Sequence, residues 1–131
     1  MKKKRLQARF RRQILEQAGF RCGYCLTPQR ITGARMVIDR ILPEAAGGLT
    51  TEDNLWLACH ACNEFKGAQT LARDPVTGRL VRLFNPCKQR WSEDRTHIIG
   101  LTSCGRATVV ALQMNHKEIV CARQQWANVG W

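Results

Sequence analysis

The chain has 131 residues, 24% of them charged, with 21 Lys and Arg against 10 Asp and Glu for a formal net charge of +11. That length supports one domain with a modest core or a smaller core with appendages. No apolar run of signal-peptide or membrane-spanning length follows the basic start Met1–Arg5, so the expectation is a cytoplasmic protein that does not enter a membrane.

The positive charge is concentrated at the N-terminus. Residues 1–30 carry nine Lys or Arg and one acid, Glu16, whereas the remainder carries twelve against nine. Such a block either attracts nucleic-acid phosphates through counterion release or is a solvated tail that keeps the chain soluble. Arg9–Gln17 reads as a short basic helix that stops at Gly19. Phe10 and Ile14 lie on its narrow apolar side, and Arg9, Arg11 and Arg12 face outward as candidate phosphate contacts.

Seven cysteines follow, four of them in two C-x-x-C pairs, Cys22-Gly23-Tyr24-Cys25 and Cys59-His60-Ala61-Cys62. Each pair can present two sulfurs to one ion at roughly 2.3 Å, and two pairs complete a tetrahedron. A closed four-thiolate zinc site leaves no position for substrate, so Cys22, Cys25, Cys59 and Cys62 point to a structural Zn²⁺. The alternative of four unrelated buried thiols gives no reason for the regular spacing. The odd count and the metal spacing argue for a reducing compartment over a disulfide framework. Cys87, Cys104 and Cys121 read as small apolar residues or incidental thiols. Phe20 and Tyr24, flanking the first pair, read as packing residues.

Between the pairs, Thr27–Gly33 should be loop, given Pro28 and Gly33. Arg35–Leu42 reads as a strand with β-branched Val37, Ile38 and Ile41, halted by Pro43, with Asp39 and Arg40 near its end. Gly47-Gly48 supplies a turn, and Asp53-Asn54 precedes Leu55-Trp56-Leu57. A helix is expected from about Leu57 to Phe65, with Cys59, Cys62, Asn63 and Lys66 on one face. Beyond it, Arg79–Phe84 and His97–Leu101 read as strands of a C-terminal β-hairpin. Arg106–Met114 and a last segment through Ile119, Ala122 and Trp126 read as helices, with Thr102 or Ser103 as a cap.

The order of these motifs resembles the HNH endonucleases, specifically the zinc-containing ββα-metal nucleases. The residues carrying the resemblance are Cys22 and Cys25, Ile38-Asp39, Pro43, Gly47-Gly48, Asn54-Leu55, Cys59, Cys62-Asn63 and Lys66-Gly67, about a third of the chain. Leu83-Phe84-Asn85-Pro86, Ile99-Gly100-Leu101-Thr102 and Gly105-Arg106-Ala107-Thr108 resemble the tail of a group of bacterial, including cyanobacterial, HNH proteins. Relative to those tails the chain looks shortened between Trp91 and Thr96.

The resemblance implies an α+β fold, a ββα-metal core stapled by the four-Cys zinc, with a C-terminal β-hairpin and helices. Its expected divisions are a basic tail and helix over 1–20, the core over 21–70 and an extension packed on the core over 71–131. The implied activity is metal-assisted hydrolysis of DNA phosphodiesters, with RNA also open. One Mg²⁺ or Mn²⁺ would be held by Asp39 and Asn63, which are hard oxygen ligands suited to such ions. By the same resemblance Asn54 pins the loop that orients the catalytic strand, and Lys66 either steadies a phosphate or is an exposed helix-end lysine.

One departure bears on the chemistry. Where the family has its general-base histidine, this chain has Arg40, a permanent cation without an acceptor lone pair. Arg40 can instead clamp a phosphate. His60, three residues before Asn63, is a candidate surrogate base; His97 and His116 lie outside the motif. The reading is therefore a DNA endonuclease impaired at its base, with a catalytically inactive zinc-stabilised nucleic-acid-binding module as the alternative. No protein partner follows from the sequence.

Overall fold

A computed structural model describes residues 8–33, 35–93 and 96–130. The expected basic tail at residues 1–7 lies outside them, as do residues 94 and 95 of the segment expected to be shortened. Helix α1 (Ala8–Gln17) buries Ile14 and leads through Gly19 into the first cysteine turn. A four-residue helix α2 (Gln29–Thr32) forms where a loop was expected. It closes a small ring in which Gln29 N–H donates to Phe20 O at 2.9 Å and Cys22 N–H to Thr27 O at 3.0 Å.

Strand β1 (Met36–Arg40) pairs antiparallel with β2 (Leu55–Cys59), with Met36 opposite Cys59, Asp39 opposite Trp56 and Arg40 opposite Leu55. Helix α3 (His60–Lys66) follows at once and packs on both strands, completing a ββα unit. The helix expected from Leu57 is therefore corrected, because Leu57–Cys59 is strand. Leu-Trp-Leu-Ala-Cys suits either element, and the ladder to β1 decides it. Cys59 becomes the helix N-cap, its Sγ accepting from Cys62 N–H at 3.4 Å.

The connection from β1 to β2 holds short 3₁₀ turns at Glu44–Ala46 and Glu52–Asn54. Gly47 sits at φ +89°, and a Cβ on Gly48 would overlap the Leu42 carbonyl, so the Gly47-Gly48 pair is required by a loop folded back on its own start.

After α3, β3 (Leu71–Arg73) pairs with β4 (Leu80–Arg82), and β5 (Ser92–Glu93) pairs with β6 (Ile98–Ile99). The two strands expected as one hairpin thus each belong to a different hairpin. Their partners are too short to show a period in the sequence. Helix α4 (Ser103–Ala111) starts earlier than expected, with Thr102 Oγ1 accepting from Gly105 N–H at 3.1 Å. Helix α5 (Lys117–Asn128) is capped by His116, whose Nδ1 accepts from Ile119 N–H at 3.2 Å.

A two-stranded hairpin is marginal alone and needs a surface to bury. Here the main core gathers the four cysteines with Tyr24, Phe84, Ile98, Leu112 and Met114. Trp91 stacks on Phe84 at 3.6 Å between ring centroids. The C-terminal third is fastened to the first cysteine pair by Arg123, which is 1% exposed. Its guanidinium donates to Cys25 O at 3.2 Å, Met114 O at 2.6 Å, Thr96 O at 2.9 Å and Asn115 Oδ1 at 3.0 Å. A buried cation carrying that many acceptors is one whose removal strands several carbonyls. Among the described residues no helix is long and apolar enough to cross a membrane.

Candidate active site

The four cysteine sulfurs lie within 4.8 Å of one another, all on buried residues. Cys25 Sγ is 3.6 Å from Cys59 Sγ, close to the edge of roughly 3.8 Å expected for a tetrahedron with Zn–S near 2.3 Å. Two elements bring them together: the turn after α1 supplies Cys22 and Cys25, and the β2–α3 junction supplies Cys59 and Cys62. Burial pushes the Cys22 thiol well above its usual value, while hydrogen bonding to Cys22 holds Cys25 well below it. The two thiols are thus pushed in opposite directions, and a dication at the centre would bring all four sulfurs to a common thiolate state. The site fits zinc.

Above this staple lies a buried carboxylate. Asp39, 7% exposed at the end of β1, meets three groups. Lys66 Nζ stands 3.2 Å from its Oδ2 and 3.4 Å from its Oδ1, and Tyr24 O–H donates to Oδ2 at 3.3 Å. Burial raises the Asp39 pKa, and the Lys66 ammonium, the Tyr24 hydroxyl and the Arg40 charge pull against that rise. The Tyr24 hydroxyl is itself pushed up, first by burial and then by Asp39. Tyr24 is therefore a packing residue with a polar tip on the carboxylate.

Asn63 lies three residues before Lys66 on α3, which puts the two on one helix face. It is half-buried, and its side-chain amide makes no hydrogen bond to another described residue. A buried carboxylate and an asparagine amide are both oxygen donors of the kind a hard divalent ion takes.

Asn54 closes the loop that follows β1. Its Oδ1 accepts from Leu42 N–H at 2.8 Å, and its Nδ2 donates to Leu42 O at 3.1 Å and Leu49 O at 2.7 Å. Its own carbonyl accepts from Ile41 N–H at 2.9 Å. One side chain thereby ties both ends of the 42–49 loop to the start of β2.

Comparison with known proteins gives this geometry its family. Residues 22–69 match the model of the HNH endonucleases. The segment is an HNH domain. A stretch of 59 residues, 44% of the chain, is 39% identical to the CRISPR-associated endonuclease Cas9 of Corynebacterium diphtheriae. It covers 5% of that protein, so the chain spans a small fraction of the relative's length. No solved structure matches the chain. At the level of the family, the domain is that of a nuclease.

Arg40, the residue expected at the histidine's place, ends β1 directly after Asp39. It is half-buried, and its Nε and Nη2 both donate to Thr50 Oγ1, at 3.2 and 3.0 Å. The guanidinium is thus anchored across the loop. Lys66 requires correction as an exposed or phosphate-contacting residue: it is 1% exposed, and its ammonium is engaged by Asp39 and by the Arg40 carbonyl at 3.0 Å. The ββα packing draws it inward because the buried carboxylate needs a counter-charge. That role left no signal in the sequence beyond the i, i+3 spacing from Asn63.

His60 is exposed and pairs with Glu64 at 3.0 Å, one turn along α3. It lines a cavity of about 210 Å³ with His116, Phe65 and Met114, and neither Asp39 nor Asn63 lines that cavity. His60 is thus engaged by Glu64 and lines a cavity that Asp39 and Asn63 do not line. His97 contacts Thr96 and His116 caps α5. Arg9, Arg11 and Arg12 are exposed on α1, with Arg12 in a surface pair with Glu16 at 3.5 Å. Helix α1 is held to the loop before β2 by Gln13 and Gln17, which both donate to Glu52 Oε1 at 2.9 Å.

Proposed function

We propose that this chain binds DNA through its basic surfaces and hydrolyses a phosphodiester slowly at the HNH domain, with one Mg²⁺ or Mn²⁺ held by Asp39 and Asn63. The observation that carries the reading is Asp39 itself, a buried carboxylate at a strand end facing a helix whose asparagine amide is unengaged. When bound, such an ion neutralises charge developing on the phosphate and the leaving oxygen.

The chain's own residues supply the rest. Tyr24 and Lys66 hold the carboxylate in one orientation, and Asn54 holds the loop that carries Arg40's partner Thr50. Arg40 presents a fixed cation toward a phosphate but cannot take a proton from water. Losing a positioned base costs roughly 10²–10⁴ in rate, or about 3–5 kcal/mol of barrier.

A second reading, a nucleic-acid-binding module without hydrolysis, is favoured by one observation: the Lys66 ammonium already neutralises Asp39. Nicking of supercoiled plasmid by wild type and Arg40→His, with Mg²⁺, with Mn²⁺ and with neither, separates the two. Slow ion-dependent nicking by wild type, accelerated about 10²-fold or more by Arg40→His, is the expected result. Cleavage by Arg40→His alone selects the binding module. Failure of both proteins to cleave would overturn the assigned ion site.

A further inference from the structure

We propose that the outward face of the β3–β4 hairpin, with its turn, is a second nucleic-acid-binding surface, engaging duplex phosphates through Arg73 and Arg82 on the face and Arg79 at the turn. The proposal rests on the nucleic-acid reading above and assigns it a contact outside the HNH domain.

Register defines the face. Leu71 opposes Arg82 and Arg73 opposes Leu80, so these four side chains share one side of the ribbon, and all four are exposed. Arg79, also exposed, stands at the turn just before β4, outside that register. The other side, through Ala72 and Val81, packs with Leu83 on Ala107 and Ala111 of α4. The ribbon is thus buried on one side and open on the other.

Among the described residues no acid pairs with its arginines. Residues 67–91 contain five Lys or Arg and a single acid, Asp74. Asp74 is 0% exposed, and its carboxylate is taken up by Arg106 of α4, whose Nε and Nη2 donate at 3.0 and 2.8 Å. The same carboxylate accepts from Val76 N–H at 3.1 Å and Thr77 O–H at 2.9 Å. The one acid of the segment therefore builds the turn and bolts it to α4, and offers no charge to the outer face. Gly78 N–H to Asp74 O and Asp74 N–H to Arg79 O close the turn at 2.8 and 2.9 Å.

A face meant only for solubility would interleave both signs and keep apolar side chains few. This one is cationic and carries Leu71 at 49% and Leu80 at 59% exposure between its arginines. Guanidinium groups flanked by apolar surface, with Arg73 held by the Gly78 carbonyl, suit the phosphate and sugar of a duplex backbone. A two-stranded ribbon is also of a width that the major groove admits.

The test is duplex-DNA binding by fluorescence anisotropy on the full zinc-loaded chain as salt is raised. It compares wild type, Arg73→Gln/Arg79→Gln/Arg82→Gln and Arg9→Gln/Arg11→Gln/Arg12→Gln, each checked for unchanged melting temperature. Each neutralised phosphate contributes about 0.9 to the slope of log K against log salt, so the hairpin variant should lose roughly 2–3 from that slope. Wild-type binding with an unchanged slope in the hairpin variant would overturn the hairpin proposal and leave the nucleic-acid reading standing. Absence of wild-type binding would overturn both. A dimer dispersed by Leu71→Ser/Leu80→Ser, with the salt slope intact in the arginine variant, would show instead that the face joins two copies of the chain.

Discussion

Replacing Lys66 by Met tests the buried ion pair on which the candidate site depends. Methionine keeps much of the apolar stem and deletes the charge, leaving Asp39 with Tyr24 and Arg40 as its remaining support. At the observed 3.2 Å separation, Coulomb's law with an effective dielectric constant of 20 gives an attraction of about 5 kcal/mol. Breaking a buried pair costs about 3–5 kcal/mol for the same reason, that one charge is left without a partner. A loss of about 3–5 kcal/mol is therefore expected at pH 7, read from urea unfolding of zinc-loaded protein without added Mg²⁺.

The sign of the pH dependence follows from the raised Asp39 pKa. Burial favours the protonated carboxyl in the folded chain, so folding gains as pH falls through the folded pKa and loses as pH rises through it. Without Lys66 that preference strengthens. The deficit of Lys66→Met should shrink as pH is lowered from 8 toward the ordinary carboxylate value of about 4, below which the neutral carboxyl no longer needs a cation. Adding Mn²⁺ should stabilise the variant more than wild type, because a free carboxylate offers the ion an uncontested ligand. A deficit below about 1 kcal/mol that is flat across this range would refute the assignment of Lys66 as the counter-charge.

Three further outcomes are expected. Cys59→Ser removes one of the four sulfurs while leaving a hydroxyl able to cap α3, so zinc content should fall below one per chain and the melting temperature should drop. Retention of full zinc and an unchanged transition would count against the four-cysteine site. Asn54→Ala deletes three hydrogen bonds to Leu42 and Leu49. At about 1 kcal/mol each, partly replaced by water, it should cost about 1–3 kcal/mol and speed proteolysis within residues 42–49, whereas cleavage elsewhere would point to global loosening. Arg106 holds the Asp74 carboxyl well below the usual carboxylate range. Its contribution should be present above about pH 4 and lost as pH falls further, so acid titrations of wild type and Asp74→Asn should converge at low pH; parallel curves would exclude the pair as a source of acid sensitivity.

The sequence by itself determined the features that depend on local spacing. Two C-x-x-C pairs announce a common ion because three-residue spacing sets two sulfurs side by side. Gly47-Gly48 announces a turn that other residues cannot make, and Thr102 announces a helix start because its hydroxyl satisfies an amide three residues on. The strand carrying Asp39 shows its β-branched residues openly, and the motif order from Cys22 to Gly67 was enough to suggest the HNH family.

What the tertiary structure decided concerns partners distant along the chain. Leu57–Cys59 became strand because β1 lies beside it, and β3 and β5 exist because β4 and β6 complete their ladders. Short segments carry too little period to declare themselves. Lys66 and Arg123 read as surface cations by residue type, yet each is buried because a carboxylate or a set of carbonyls, contributed largely by other elements, requires a charge there. Asp74 gives no sequence signal of its partner, because Arg106, which fixes it to α4, lies 32 residues later. Local spacing specifies what a residue can do, and burial beside a distant partner determines which of those possibilities it takes.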